Sequence, residues 1–194
     1  MLKEKLKNYH IILASGSPRR QQFFKELDLD FEIRIIAVEE KYAPSLVSTE
    51  ITDYLSQLKA SVYTDLQPND ILITSDTIVW HDDKALGKPE NKEEAFEMLK
   101  TLSGTTHKVI TSVCFTMVSN QVTIHDTTTV WFHELTDKEI TYYIKNHNTL
   151  DKAGAYGIQD WIGAIGVEKI EGSYNNVMGF PTHLVYKTLM RIEK

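Results

Sequence analysis

The run "DILITSDTIVW", residues 70–80, constrains the fold more than any other stretch of this 194-residue chain. Its opening is apolar at consecutive positions. As a strand it therefore needs cover on both faces and does not suit an exposed sheet edge. A second strand-like run, 9–14, leads into Ser15-Gly16-Ser17, and helical spacing follows at once. Ser17 is a candidate N-cap, Pro18 suits the first helical position, and Phe23, Phe24 and Leu27 give an apolar stripe. A strand is expected over 31–36. A helix over 48–63 turns Ile51, Leu55, Leu58 and Val62 to the core.

Asp82-Asp83-Lys84 reads as a turn. Asn91 with Glu94 opens a helix through Ala95, Leu99 and Leu102. Strands over 108–118 and 122–133 are joined by a hairpin around Ser119-Asn120-Gln121. Thr136 with Glu139 starts another helix, and 182–192 forms the last. Strands interleaved with helices, plus a long hairpin, predict an α/β fold with a mixed sheet. No repeat, low-complexity segment or linker interrupts the chain, so residues 1–194 are read as a single domain.

The net charge of −6 argues against a general nucleic-acid binder, yet leaves room for a small anion held by a local basic cluster. One cysteine, Cys114, excludes an internal disulfide and suits a reducing compartment, with a buried structural thiol as its expected state. No apolar run approaches the roughly 18 residues of a membrane span, and "MLKEKLKNYH" lacks the apolar core of a signal peptide. A soluble cytoplasmic protein without a membrane partner is expected.

Four stretches can carry chemistry. In "LASGSPRR", a strand, a small-residue loop and a helix start bring unpaired N–H groups, the positive end of the helix dipole, and two arginine forks to one place. That is an anion site suited to phosphate; the plainer reading is a capped helix with two solvated arginines. In "SDTIVW", Asp76 falls at or just past the end of an apolar strand, where a carboxylate can hold a cation or take a proton from water. It can equally be a turn residue. "ALGKPEN" fixes Lys88 beside Pro89. It is not a P-loop, because Asp82 stands where that motif needs glycine and Pro89 where it needs Ser or Thr. Residues 151–181 hold six of the nine glycines, a density that permits tight turns and close backbone approach. Within them Gln159 can donate and accept, as reading a nucleobase edge requires. Glu39-Glu40 could supply metal-binding carboxylates or form a solvated turn. Lys59 borders the buried face of its helix and could enter a cleft or snorkel to solvent. The histidines show no zinc-site pattern.

Taken together, "LASGSPRR", "SDTIV" followed by "LGKP", "LSGTTHKVITSV", "DKAGAYGIQ" and "VEKIEGSYNNVMGFP" resemble the Maf nucleoside triphosphate pyrophosphatases in order and spacing, from Ile11 to about Leu189. The resemblance implies an elongated twisted mixed sheet with flanking helices, in two lobes around a central cleft. It implies hydrolysis of a nucleoside triphosphate to monophosphate and pyrophosphate with Mg²⁺ or Mn²⁺. "DKAGAYGIQ" is similar to the branch acting on dTTP and UTP; the branch cleaving 7-methyl-GTP differs there. Asp76 matches the proton acceptor and Glu40 another cleft position, and the two carboxylates are expected to hold the metal. Arg19, Thr77 and Gln159 match positions tied to substrate choice. Ser15, Arg20, Lys59 and Lys88 match other substrate-binding positions. A homodimer is a family-level expectation. The family's association with arrest of septum formation leaves a non-catalytic nucleotide-binding regulator as the alternative. Two departures stand out: Ser75 replaces the usual alanine, and Asp160-Trp161-Ile162-Gly163 replaces a shorter Gly-Leu-Gly, bringing a bulky Trp161 beside the expected base pocket.

Overall fold

The structure, a computed structural model, describes residues 1–192. The chain begins with a short helix α1 (Leu2–Lys5), which the sequence reading did not anticipate, and then β1 (His10–Leu13). Next come α2 (Pro18–Glu26), β2 (Glu32–Ile33), α3 (Thr49–Ser61) and the long β3 (Asp70–His81). After β3 lie β4 (Lys84–Leu86), α4 (Lys92–Leu102), β5 (Thr106–Thr116), β6 (Gln121–Phe132) and α5 (Asp137–Asn146). A 3₁₀ turn at Ala153–Ala155 precedes α6 (Trp161–Gly166), β7 (Val167–Glu171), α7 (Tyr174–Val177) and α8 (Thr182–Arg191). The strands hydrogen-bond in the order β2-β1-β3-β5-β6-β7, with β4 on β3, so β3 is internal as its unbroken apolar opening requires. The sheet is mixed, with β1 parallel to both β2 and β3 and β6 antiparallel to β7.

The fold divides into two compact units. The first comprises residues 1–76, 111–126 and those from Gly179 onward; the second comprises 77–110 and 127–178. In the first unit, Ile12, Leu72, Ala60, Tyr63 and the free Cys114 pack together, the thiol being fully buried as expected. Phe24 lies against Phe31 and Phe180 at 5.3 and 5.4 Å between ring centres, and Phe23 stacks on Phe180 at 6.0 Å. Each buried ring contributes roughly 1.5–3 kcal/mol. These contacts fix the buried side of α2.

Strand β2 is shorter than the 31–36 expected. Arg34 N still donates to Leu13 O at 3.2 Å, but Ala14 N then turns to Ile73 O at 2.9 Å, so β1 has no further backbone to offer. Residues 34–48 therefore run without regular structure, and Ile35 and Ile36 stay exposed. In α3, Ile51 and Leu55 are buried while Leu58 is only half-buried, as is Val62, the residue that caps the helix.

In the second unit, Val79, Leu99, Val109, Phe132, Ile140 and Tyr143 belong to one core cluster. Asp82 and Asp83, both with positive φ, make the tight turn between β3 and β4. Asn91 Oδ1 accepts from Glu94 N at 2.8 Å to start α4, and Thr136 with Glu139 forms a complete capping box at α5. The glycine-dense segment carries α6, β7 and α7. Gly154 has φ +64°, and a Cβ there would lie 2.7 Å from Val79 Cγ2, so the position demands glycine twice over.

Candidate functional site: a buried carboxylate paired with Lys59

Ser17 begins α2 without a side-chain cap; instead its N–H donates to Ser15 Oγ at 3.2 Å, so the buried Ser15 shapes the turn. Gly16 stands exposed, and a Cβ would meet Ile35 Cδ1 at 3.3 Å.

The two adjacent arginines are both half-buried. Arg20 does not point to solvent: its Nε donates to Gly179 O at 2.9 Å and its Nη1 to Ser75 O at 3.0 Å. Gly179, at φ +98°, turns its carbonyl inward directly before Phe180, whose ring the two phenylalanines of α2 hold. One helix thus supplies both the arginine and the apolar anchor of its acceptor. Burial pushes the Arg20 pKa down to about 10; Asp76 opposes this, Arg19 adds to it, and Glu40 opposes it weakly. Those influences put Arg19, Asp76 and Glu40 each within electrostatic reach of Arg20.

Asp76 is buried within β3, which continues to His81, so it does not end the strand as expected; Lys59 Nζ lies 2.6 Å from its Oδ1 and 3.1 Å from Glu40 Oε2. Lys59 is delivered by α3, which Thr74 ties to β3 by donating from Oγ1 to Ser56 O at 2.6 Å. Ser56 and Lys59 are one helical turn apart, so this bond sets the height at which the ammonium meets Asp76. Lys59 therefore enters the site instead of snorkelling.

Among the described residues, no three His, Cys, Asp or Glu side chains form a metal cage. Asp76 and Glu40 are two carboxylates gathered on one ammonium. Such a pair suits a Mg²⁺ or Mn²⁺ ion that completes its shell with water and substrate phosphate oxygens.

Ser75, next to Asp76, is buried with its Oγ unpartnered, so an alanine would fit there without losing a hydrogen bond. Neither that hydroxyl nor the Gly179 carbonyl was legible as part of the site. Only the glycine before Phe180 signals a special backbone there.

Thr77, Lys88 and Gln159 lie in the second unit. Thr77 is half-buried on β3, and Lys88 is exposed after Gly87, whose carbonyl accepts from Gly154 N at 2.9 Å. Gln159 is exposed at the third position of a turn closed by Asp160 N donating to Gly157 O at 3.0 Å. Trp161 begins α6 and packs on Tyr142 of α5, with ring centres 4.8 Å apart. The indole thus packs on a neighbouring helix of its own unit.

Other motif residues turn out to be structural. His107, from "LSGTTHKVITSV", bonds through Nε2 to Tyr156 Oη at 2.8 Å within an aromatic cluster with Phe132, and burial lowers its pKa to about 3. Asn176, from "SYNNVMGFP", donates from Nδ2 to Val109 O and Thr128 Oγ1, both at 3.0 Å.

The family profile described as Maf-like protein matches residues 10–192. A dTTP/UTP pyrophosphatase of Flavobacterium johnsoniae is 62% identical over 190 residues, covering 97% of this chain and 98% of its own. One of Christiangramia forsetii is 57% identical over 190 residues, covering 97% of each. Among solved structures, a HAM1 protein from Coxiella burnetii aligns with TM-score 0.53 over 95% of this chain and 100% of its own at 13% identity, a likeness of fold alone. With the profile running through both units and relatives this similar over nearly full length, the chain belongs to the Maf family.

Proposed function

We propose that the protein hydrolyses nucleoside triphosphates, dTTP and UTP foremost, to the monophosphate and pyrophosphate. The observation that carries this reading is the buried Asp76 carboxylate held at 2.6 Å from Lys59, with Arg20 braced on the adjacent Ser75 carbonyl. In this reading Arg19, Arg20, Lys59 and the N–H groups from Ser15 to the first turn of α2 clamp the phosphates. Asp76 orients the attacking water. The water oxygen bonds to the α-phosphorus, the bond from that phosphorus to the α–β bridging oxygen breaks, and pyrophosphate leaves with the electron pair. The proton of the water passes to the Asp76 carboxyl and then to solvent. Mg²⁺ or Mn²⁺ on Asp76 and Glu40, when bound, offsets the charge that develops on the leaving group. Thr77 and Gln159, with Arg19, select the substrate, and Lys88 adds a phosphate contact, all by family correspondence. Residues 1–194 act as one Maf-type domain.

The dTTP/UTP choice rests on the names of the relatives. No observation favours a non-catalytic regulator or a 7-methyl-GTP enzyme. In the same reading the protein works in the cytoplasm, where its nucleotide substrates are. Among the described residues no helix is long and apolar enough to cross a membrane.

The test is pyrophosphate release from a panel of triphosphates with Mg²⁺ or Mn²⁺. Turnover highest on dTTP and UTP, and abolished by chelator, is expected. Binding without turnover overturns the reading.

A further inference from the structure

The turn that displays Gln159 is tied shut beneath its surface. Gly157 N donates to Tyr143 Oη at 3.1 Å, and that hydroxyl donates in turn to Asp160 Oδ2 at 2.7 Å. One phenol therefore joins the first and last residues of the Gly157–Asp160 turn. Tyr143 is fully buried on α5 and has no freedom to follow a moving loop. On the other side, Lys152 Nζ lies 3.5 Å from Asp160 Oδ2 and 2.8 Å from Asp151 Oδ1, and it donates to Asn148 O. The Lys152 side chain is only 9% exposed, so these acceptors fix where its charge can sit. Downstream, Asp160 O accepts from Gly163 N at 3.0 Å and Ala164 N at 3.2 Å, starting α6 on the same residue.

The amide of Gln159 lies beside this frame. A Cβ on Gly157 would lie 2.7 Å from Asp160 Oδ2 and 2.9 Å from Gln159 Nε2. The Gln159 amide and the Asp160 carboxylate thus flank the same bare stretch of backbone.

We infer that Tyr143, Asp160 and Lys152 are positioning residues for Gln159, and that the protein's choice among nucleobases depends on this buried frame. The inference rests on the proposed triphosphate hydrolysis. It assigns a task to Asp160, which lies in the segment where this chain departs from the usual family pattern. A neutral amide discriminates donors from acceptors only if its orientation is held. Gln159 alone, exposed on a turn, would rotate. The frame acts through placement and touches no reacting atom.

The test is a double-mutant cycle on selectivity, read as the ratio of kcat/KM for UTP to that for CTP. Tyr143→Phe keeps the ring and removes the hydroxyl. It is expected to reduce the ratio about tenfold, the middle of the range for groups coupled in one network, with kcat for UTP little changed. Asp160→Asn, which keeps an acceptor for the phenol but weakens the Lys152 pairing, is expected to reduce the ratio less. In a Gln159→Ala background, Tyr143→Phe is expected to change the ratio no further. Additive losses, an unchanged ratio in Tyr143→Phe and Asp160→Asn, or an unchanged ratio in Gln159→Ala overturn the inference while leaving the hydrolysis intact. A wild-type protein that releases no pyrophosphate overturns the functional reading, and the inference with it.

Discussion

Replacing Asp76 by Asn tests the site with little change of shape. A positioned acid–base group supports about 10²–10⁴ in rate, equivalent to roughly 3–5 kcal/mol of barrier at about 1.4 kcal/mol per decade. The stability cost is smaller. Breaking a buried ion pair costs about 3–5 kcal/mol when the surviving charge is stranded. Lys59 is not stranded, because it keeps Glu40 at 3.1 Å and its side chain is 18% exposed. The expected loss of folding stability is therefore about 1–2 kcal/mol. Pyrophosphate release at saturating UTP measures the first quantity and urea unfolding the second. A kcat within about threefold of wild type refutes the role of Asp76. A stability loss above about 4 kcal/mol refutes the claim that Lys59 is shared between two carboxylates.

Arg20→Lys keeps a charge but cannot span Gly179 O and Ser75 O together, so one charge-assisted bond is lost; about 2 kcal/mol of stability and a raised KM are expected from denaturation and steady-state kinetics. Ser75→Ala removes a buried hydroxyl without a partner and is expected to stabilise by about 1 kcal/mol with unchanged turnover; a loss of stability in urea would show that the hydroxyl is satisfied. Gly154→Ala combines a left-handed backbone with a 2.7 Å approach to Val79 and is expected to cost about 2–5 kcal/mol by the same assay, and a change below about 1 kcal/mol refutes the close packing. His107 carries a folded pKa lowered from 6.5 to about 3, so the unfolded chain binds the extra proton between those values. Its contribution is present above pH 6.5 and lost as pH falls toward 3; the Tm of wild type is expected to drop more steeply over that window than that of His107→Gln, and parallel curves would refute it.

Much of the scaffold was legible because local rules dominated it. The apolar start of β3 demanded an internal strand, and Asn91 and Thr136 began helices where their side-chain bonds form. The limits were also local. A strand at 31–36 satisfied propensity, but β1 ran out of free backbone after two paired residues. Leu58 and Val62 kept helical spacing at the margin of a face narrower than their pattern suggested.

At the site, the sequence by itself determined the types of group: adjacent arginines at a helix start, a carboxylate following an apolar run, and an amide in a glycine-rich turn; that the carboxylate sits inside β3 and not at its end was not legible. Through the resemblance of its motifs it also determined the family. Only the tertiary structure decided their partners. Arg20 reaches a carbonyl 159 positions away, Lys59 chooses Asp76 and Glu40 over solvent, and Tyr143 closes the turn that carries Gln159. The physical reason is that type and spacing are carried by neighbours along the chain. The pairing of buried polar groups depends on which distant backbone and side chains share the same low-dielectric space.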